Sequence, residues 1–308
     1  MVQDRNYSID IVKGGGIILV IVGHILLGTL DENIVRYVIY SFHMPLFMFI
    51  SGYMINITKL SMGKYKDLFS KYWDRMLKMW CIAYIVFSLY QLRPFPTTEG
   101  IISVIYSPWY HLWYVPTLFC YIIIVRFLFK ATNKTIAYST LIFLSVIWTV
   151  IWAIAKTRFV HLPMTRWCDL TFMPYFALGL FFKNHINGFV CNKSYWIVPI
   201  LYFPAILVTK FIDIQTYGII TFILLCIVVI FFLYPSIKND SLPKSSTLSY
   251  IGSNSLAFYL WHMIFVQPMK DYISNTLWYY FVTFSILFIS IVLIKFRSYA
   301  NRVKIHSE

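Results

Sequence analysis

Two apolar stretches near the N-terminus carry ionisable side chains where lipid-facing residues belong. Residues 5–24 read RNYSIDIVKGGGIILVIVGH, and residues 41–52 read SFHMPLFMFISG. Asp10, Lys13, His24 and His43 stand in them. Ionisable groups at membrane depth are costly, so they face a protein interior or a water-filled cavity and mark function. Wound as a helix at about 100° per residue, Lys13 and His24 lie about 20° apart around the axis and about 16 Å apart along it. Asp10 falls about 60° from Lys13 on the same side. The first stretch therefore has a polar stripe, with a charge pair at one end and an imidazole near mid-membrane. Lys13 can also snorkel to the interface with Asp10 as its partner. His24 is too deep for that and needs a buried polar partner. An imidazole near neutral pKa suits a general base or a transient acyl carrier. His43, beside the helix-kinking Pro45, reaches a comparable depth. Two imidazoles alone are a weak metal signal, and no metal is expected.

The elements that carry these residues follow from composition. Of 308 residues, 59% are hydrophobic and only 12% charged, with mean hydropathy +0.70. Soluble domains carry about 25% charged residues. The expectation is an all-α, polytopic transmembrane helix bundle of about ten spans, forming a single domain over residues 1–308. The spans read as 9–30, 34–57, 76–92, 112–130, 136–155, 169–183, 195–211, 217–234, 249–269 and 277–296. The first is read as uncleaved, because no A-x-A-like site follows it. The apolar run 101–111 is too short to cross and reads as re-entrant or interfacial. The basic stretch 59–75 reads as lying along the membrane surface. Five scattered cysteines with no CxxC pair give neither a disulfide framework nor a zinc site.

The net charge of +14 does not point to nucleic acid, because the basic residues sit in loops between apolar runs. With ten spans, 19 Lys and Arg fall on the side of the termini and 7 on the other. That bias places both termini in the cytoplasm. The outer loop 156–169 is an exception, with three basic residues and His161. It reads either as a solvated or headgroup-contacting loop or as a docking point for an acidic substrate.

Five ordered motifs resemble the acyltransferase-3 family of integral membrane acyltransferases, in particular its fucose-O-acetylase-like branch. They are Arg5, Ile9-Asp10, Lys13-Gly14 and His24; Phe42-His43-Met44-Pro45-Leu46-Phe47 through Ser51-Gly52; His111-Leu112-Trp113-Tyr114-Val115-Pro116 with Leu118-Phe119; Phe172 to Gly179; and Ile251-Gly252 with Asn254-Ser255-Leu256, Tyr259-Leu260 and His262. Two positions depart from the family pattern. Lys13 stands where many members carry arginine, which keeps the charge but loses the bidentate fork. Met79-Trp80 stand where a proline usually follows the basic stretch.

The resemblance implies an O-acyltransferase, with acetyl-CoA or another acyl-CoA as donor. The acceptor it implies is a carbohydrate hydroxyl of a surface polysaccharide or a lipid-linked sugar. It also implies a bacterial plasma membrane, with membrane lipids as surroundings. On this reading His24 is the base or acyl carrier. Lys13, fixed by Asp10, meets the donor phosphates, and Arg75 and Lys78 are further phosphate contacts. His43 and His111 serve acceptor binding or a second proton transfer. Trp113 and Tyr114 either stack on a sugar or sit in an aromatic belt. His262 reads as structural, with Asn254-Ser255 capping the start of its helix. The competing class is a flippase or exporter of a polysaccharide intermediate. The absence of a visible repeat and the ordered motifs favour the enzyme.

Overall fold

A computed structural model describes residues 6–93, 97–106, 109, 111–157, 167–185, 197–211 and 214–307. Side chains at 149, 152–157, 214–219 and 297–307 are not described. Arg5, Cys191 and most of the basic outer loop, with Arg158, His161 and Arg166, lie outside the described residues.

The described residues are helical, without strands. In chain order the helices are α1 (Tyr7–Ile25), α2 (Ile34–Tyr53), α3 (Ile57–Met62), α4 (Tyr65–Tyr72), α5 (Lys78–Gln91), α6 (Thr98–Tyr106), α7 (Tyr114–Ala131) and α8 (Lys134–Thr157). They continue with α9 (Met173–His185), α10 (Ile197–Val208), α11 (Ile214–Val228), α12 (Tyr234–Lys238), α13 (Ser246–Ser253), α14 (Ser255–Trp261), α15 (Met263–Tyr272) and α16 (Thr276–Ser307). Single π-helical turns, Trp73–Leu77 and Val229–Leu233, join α4 to α5 and α11 to α12.

Five helices are long and apolar enough to cross a membrane: Tyr7–Ile25, Ile34–Tyr53, Tyr114–Ala131, Ile220–Lys238 and Thr276–Phe296. They correspond to five of the ten expected spans. Lys134–Trp148 and Ile197–Phe211 are shorter apolar helices at two more. The expected spans 76–92 and 169–183 fall on α5 and α9, of 14 and 13 residues. The run 101–111 yields α6, which buries none of its residues.

The expected span 249–269 is not one helix. It is interrupted at Asn254 and His262 into α13, α14 and α15. Asn254 does not cap α14 with its side chain. Its amide turns back to donate to the Tyr250 carbonyl at 2.9 Å, closing the C-terminal end of α13. The break at His262 is slighter: its N–H still donates to the Phe258 carbonyl at 3.1 Å and its carbonyl still accepts from Val266 N–H at 3.3 Å, while its ring Nδ1 binds the Tyr259 and Phe258 carbonyls at 2.8 and 3.2 Å. A side chain that bonds nearby backbone carbonyls competes with regular helix.

The chain forms two compact units, Met1–Phe47 with Asn187–Glu308, and Met48–Ile186. Each has a helix crossing in which two glycines meet backbone to backbone. In the first unit, a Cβ on Gly14 would overlap the Leu248 carbonyl and lie 3.2 Å from the Gly252 nitrogen. A Cβ on Gly252 would overlap the Asp10 carbonyl and lie 2.9 Å from the Gly14 nitrogen. In the second unit, Gly52 is blocked in the same way by the Phe176 carbonyl, and Gly179 by the Phe49 carbonyl. Small residues let helices approach this closely in lipid, where no hydrophobic drive operates between them. All four glycines belong to the motifs read from the sequence.

Candidate active site

The first unit builds its site on α1, which is held at both ends and in the middle. At its start, the Asn6 side chain accepts from Ile9 N–H at 3.0 Å, and Asp240 Oδ1 accepts from Ser8 N–H at 2.6 Å. The Ser8 hydroxyl accepts in turn from Leu242 N–H at 3.1 Å. These bonds satisfy donors that a helix N-terminus leaves without intrahelical partners. Asp240 takes a left-handed backbone, φ 47°, to reach that position. At the far end of α1, the Tyr279 hydroxyl donates to the Ile25 carbonyl at 2.8 Å, and Leu27 N–H donates to the Tyr280 hydroxyl at 3.0 Å. The Gly14–Gly252 crossing fixes the middle. A helix pinned at three points is a firm support for a reacting group.

His24 projects from the last turn of α1 and is 7% exposed. Its ring lies 5.0 Å from that of His262, centroid to centroid, with the planes tilted by 33°. His262, read from the sequence as structural, thus stands directly beside His24. The register explains the meeting. Gly14 precedes His24 by the same ten residues that separate Gly252 from His262. Chains that cross at the glycines and run on together bring the two imidazoles level. That repeated glycine-to-histidine interval is the signal that pointed to His262, and motif reading alone passed over it.

Tyr40 of α2 completes the cluster. Its hydroxyl lies 3.2 Å from His24 Nδ1. Its ring stands edge-on to His24 at 5.9 Å and to His43 at 4.8 Å. The Arg36 guanidinium lies over the same ring at 5.1 Å, within cation–π range. His43 is buried and donates from Nδ1 to the Ile39 carbonyl at 2.8 Å. Three buried histidines, His24, His43 and His262, thus gather with the half-buried Tyr40 in the first unit.

These hydrogen bonds fix where the neutral rings carry their protons. A carbonyl only accepts, so His43 and His262 each hold a proton on Nδ1 and present an Nε2 lone pair. The partner of His24 Nδ1 is a hydroxyl, which can donate or accept. The bond to Tyr40 is thus compatible with either tautomer of His24. When its Nδ1–H donates to Tyr40, its Nε2 is a base.

Asp10 and Lys13 lie lower on α1, Asp10 buried and Lys13 half-buried, both just N-terminal to Gly14 of the glycine crossing. Arg75 and Lys78 belong to the second unit. They are exposed, on and just after the π-helical turn that joins α4 to α5. That run is continuous helix through Met79-Trp80, and the Trp80 indole donates to the Leu112 carbonyl at 2.8 Å.

His111 is also in the second unit, 2% exposed. It is edge-on to Phe87 at 5.0 Å and to Trp109 at 5.8 Å. Trp113 is half-buried with one face stacked on Phe172 at 5.2 Å. Tyr114 is buried, and its hydroxyl meets the Ser51 hydroxyl at 2.9 Å. Tyr114 thus acts in helix packing next to the Gly52 crossing.

Arg126 of α7 is fully buried and went unnoticed in the sequence, where it counted only as a loop charge. Its guanidinium donates to the Leu60 and Gly63 carbonyls and lies over the Tyr65 ring at 4.1 Å. It clamps the connection between α3 and α4.

Comparison with known proteins agrees with the motifs. The acyltransferase-3 profile, described as an acyltransferase domain, matches residues 6–295. A curated relative, Nodulation protein NolL of Sinorhizobium fredii (strain NBRC 101917 / NGR234), is 43% identical over 65 residues. That match spans 19% of this chain and 18% of NolL. No solved structure matches significantly. With nearly its whole length matched and its motif glycines and histidines gathered at helix crossings, the chain belongs to the acyltransferase-3 family of acyltransferases.

Proposed function

We propose that the protein is a membrane-embedded O-acyltransferase of the fucose-O-acetylase-like branch. It moves an acyl group, acetyl in the first instance, from acyl-CoA to a hydroxyl of a surface polysaccharide or lipid-linked sugar. The observation that carries this is the buried pair of imidazoles, His24 and His262, 5.0 Å apart, with a phenol on His24 Nδ1. Acyl transfer from a thioester to an alcohol needs one base near neutrality, and histidine supplies it.

In the proposed step the acceptor oxygen attacks the thioester carbonyl carbon. Its proton passes to His24 Nε2 while Tyr40 holds Nδ1–H. The carbon–sulfur bond then breaks, and the departing CoA sulfur takes the proton back from the imidazolium. Two imidazolium rings at 5.0 Å repel strongly in a low-dielectric site, so the pair takes up one extra proton at a time. His262 stays neutral and keeps the His24 ring aligned by stacking. His43 assists acceptor binding. Lys13 meets the donor phosphates with Asp10 beside it, and Arg75 and Lys78 add further phosphate contacts. His111 and Trp113 contribute to acceptor binding. The 19-to-7 bias of Lys and Arg supports cytoplasmic termini in a bacterial plasma membrane, with the donor arriving at the Lys13 end of α1.

The test is transfer of labelled acetyl from acetyl-CoA to glycan in membranes carrying His24→Ala, at matched protein level. The expected result is loss of at least a hundredfold. Near-normal transfer would end the His24 assignment. Lys13→Ala is expected to raise the apparent KM for acetyl-CoA, and an unchanged KM would end its phosphate role.

A further inference from the structure

The sequence offers five scattered cysteines and no disulfide framework, but the fold brings two of them together. Cys120 lies on α7, and Cys168 lies in the segment Trp167–Asp169 that leads into α9. Both are half-buried, and their thiols are neighbours.

The contact is part of a longer registration. Asp169 N–H donates to the Thr117 hydroxyl at 3.2 Å. The Cys120 thiol points to the Trp167 carbonyl at 3.9 Å. The Tyr121 hydroxyl donates to the Asp169 carbonyl. Three residues of the segment are thus matched to one turn and a half of α7. The Trp167 indole donates to the Tyr106 carbonyl at 3.0 Å, and its ring packs on Trp80 and Tyr84. A pair held this way has its two sulfurs side by side, the first requirement of a disulfide.

We infer that Cys120 and Cys168 are a modification site that closes to a disulfide, tying the lead-in of α9 to α7. The partner is an oxidant that itself carries a disulfide, either a small molecule or a protein. One cysteine loses its proton, and its thiolate attacks a sulfur of the oxidant's disulfide. The oxidant's other sulfur leaves as a thiolate. The second cysteine, also deprotonated, then attacks the mixed disulfide and expels the remaining oxidant thiolate. The protein gives up two protons and two electrons, and the oxidant becomes two thiols. The bond would sit one turn from Thr117 and two turns from Trp113, which stacks on Phe172 just beyond Asp169. Closing it would fix the wall of the second unit that carries Trp113.

The inference does not depend on the proposed transfer reaction. The detergent-solubilised full chain, treated with oxidised glutathione, is blocked with N-ethylmaleimide and digested without reduction. The expected product is a linked peptide pair joining Cys120 to Cys168, two hydrogens below the summed mass, that separates on reduction. A second variant, Cys81→Ser/Cys191→Ser/Cys226→Ser, leaves the pair as the sole thiols and should give the same link within one chain. The oxidised wild type should melt roughly 5–10 °C above the reduced protein. Cys168→Ser should remove that difference. Separate alkylation of both cysteines after oxidation, or links to other cysteines instead, would overturn the inference.

Discussion

Replacing Gly14 by alanine, with Gly15→Ala as its neighbour and reference, tests whether the site rests on a backbone crossing. Both positions are in the middle of α1, where Gly→Ala alone is worth about 1 kcal/mol in helix propensity. At Gly15 an added Cβ meets nothing within 4 Å, so the gain is kept. At Gly14 the same methyl lies 2.9 Å from the Leu248 carbonyl carbon and overlaps its oxygen. Backbone cannot swing aside, so α13 must retreat by about 1 Å, which forfeits a quarter to a half of each contact's attraction. The atom pairs of the crossing, each worth about 0.1–0.2 kcal/mol, together lose about 2 kcal/mol. Strain in the overpacked crossing adds about 1–3 kcal/mol. The two variants should therefore differ by about 3–5 kcal/mol, with Gly14→Ala the weaker. Thermal melts in detergent, followed by tryptophan fluorescence, should separate them by about 6–20 °C. Acyl transfer should fall with Gly14→Ala and persist with Gly15→Ala. Equal melting temperatures and equal activities would refute the crossing as the support of the site.

Tyr40→Phe removes the hydroxyl on His24 Nδ1 while keeping the ring against both histidines. At about 1 kcal/mol for one such bond, the transfer rate should fall about fivefold, read as kcat with KM for acyl-CoA unchanged. Arg126→Lys keeps the charge but loses the fork that reaches Leu60 and Gly63. It should cost about 2–4 kcal/mol, seen as a lower melting temperature. At Asp240, burial raises the carboxyl pKa, but hydrogen bonds from Ser8 and Tyr7 and the charge of Lys244 outweigh it, so the group is held below its usual value. A depressed folded pKa adds stability that is present above the unfolded value and fades as pH falls through the folded one. Wild type should therefore lose more melting temperature than Asp240→Asn across that acid range, and the two should converge at its lower end.

The sequence made the helical class plain, together with the two N-terminal spans and the polar stripe, because period and hydropathy are local. Three things were not local. The run 249–269 is largely apolar, yet it is broken at Asn254, whose amide bonds the carbonyl one turn back. No hydropathy pattern registers a side chain's choice of carbonyl. His262 reaches His24 through a crossing between opposite ends of the chain, which spacing within one segment cannot reveal. Arg126 looked like a loop charge because it stands near the end of a span. Its role depends on two carbonyls of α3 and the residue after it, which only the fold brings to it. The motif glycines were visible as letters, and their pairing, Gly14 with Gly252 and Gly52 with Gly179, became visible only as contact.

That pairing bears on how the protein responds to temperature. A crossing made of glycines freezes no rotamers, since glycine has none to lose. Warming therefore releases no side-chain disorder at the points where α1 meets α13 or where α2 meets α9. Interdigitated leucines would loosen gradually as their side chains sampled new wells. A bare backbone junction keeps its spacing until the helices part. The spacing of His24 and His262 should thus stay constant up to the onset of unfolding, so that activity ends abruptly instead of drifting away.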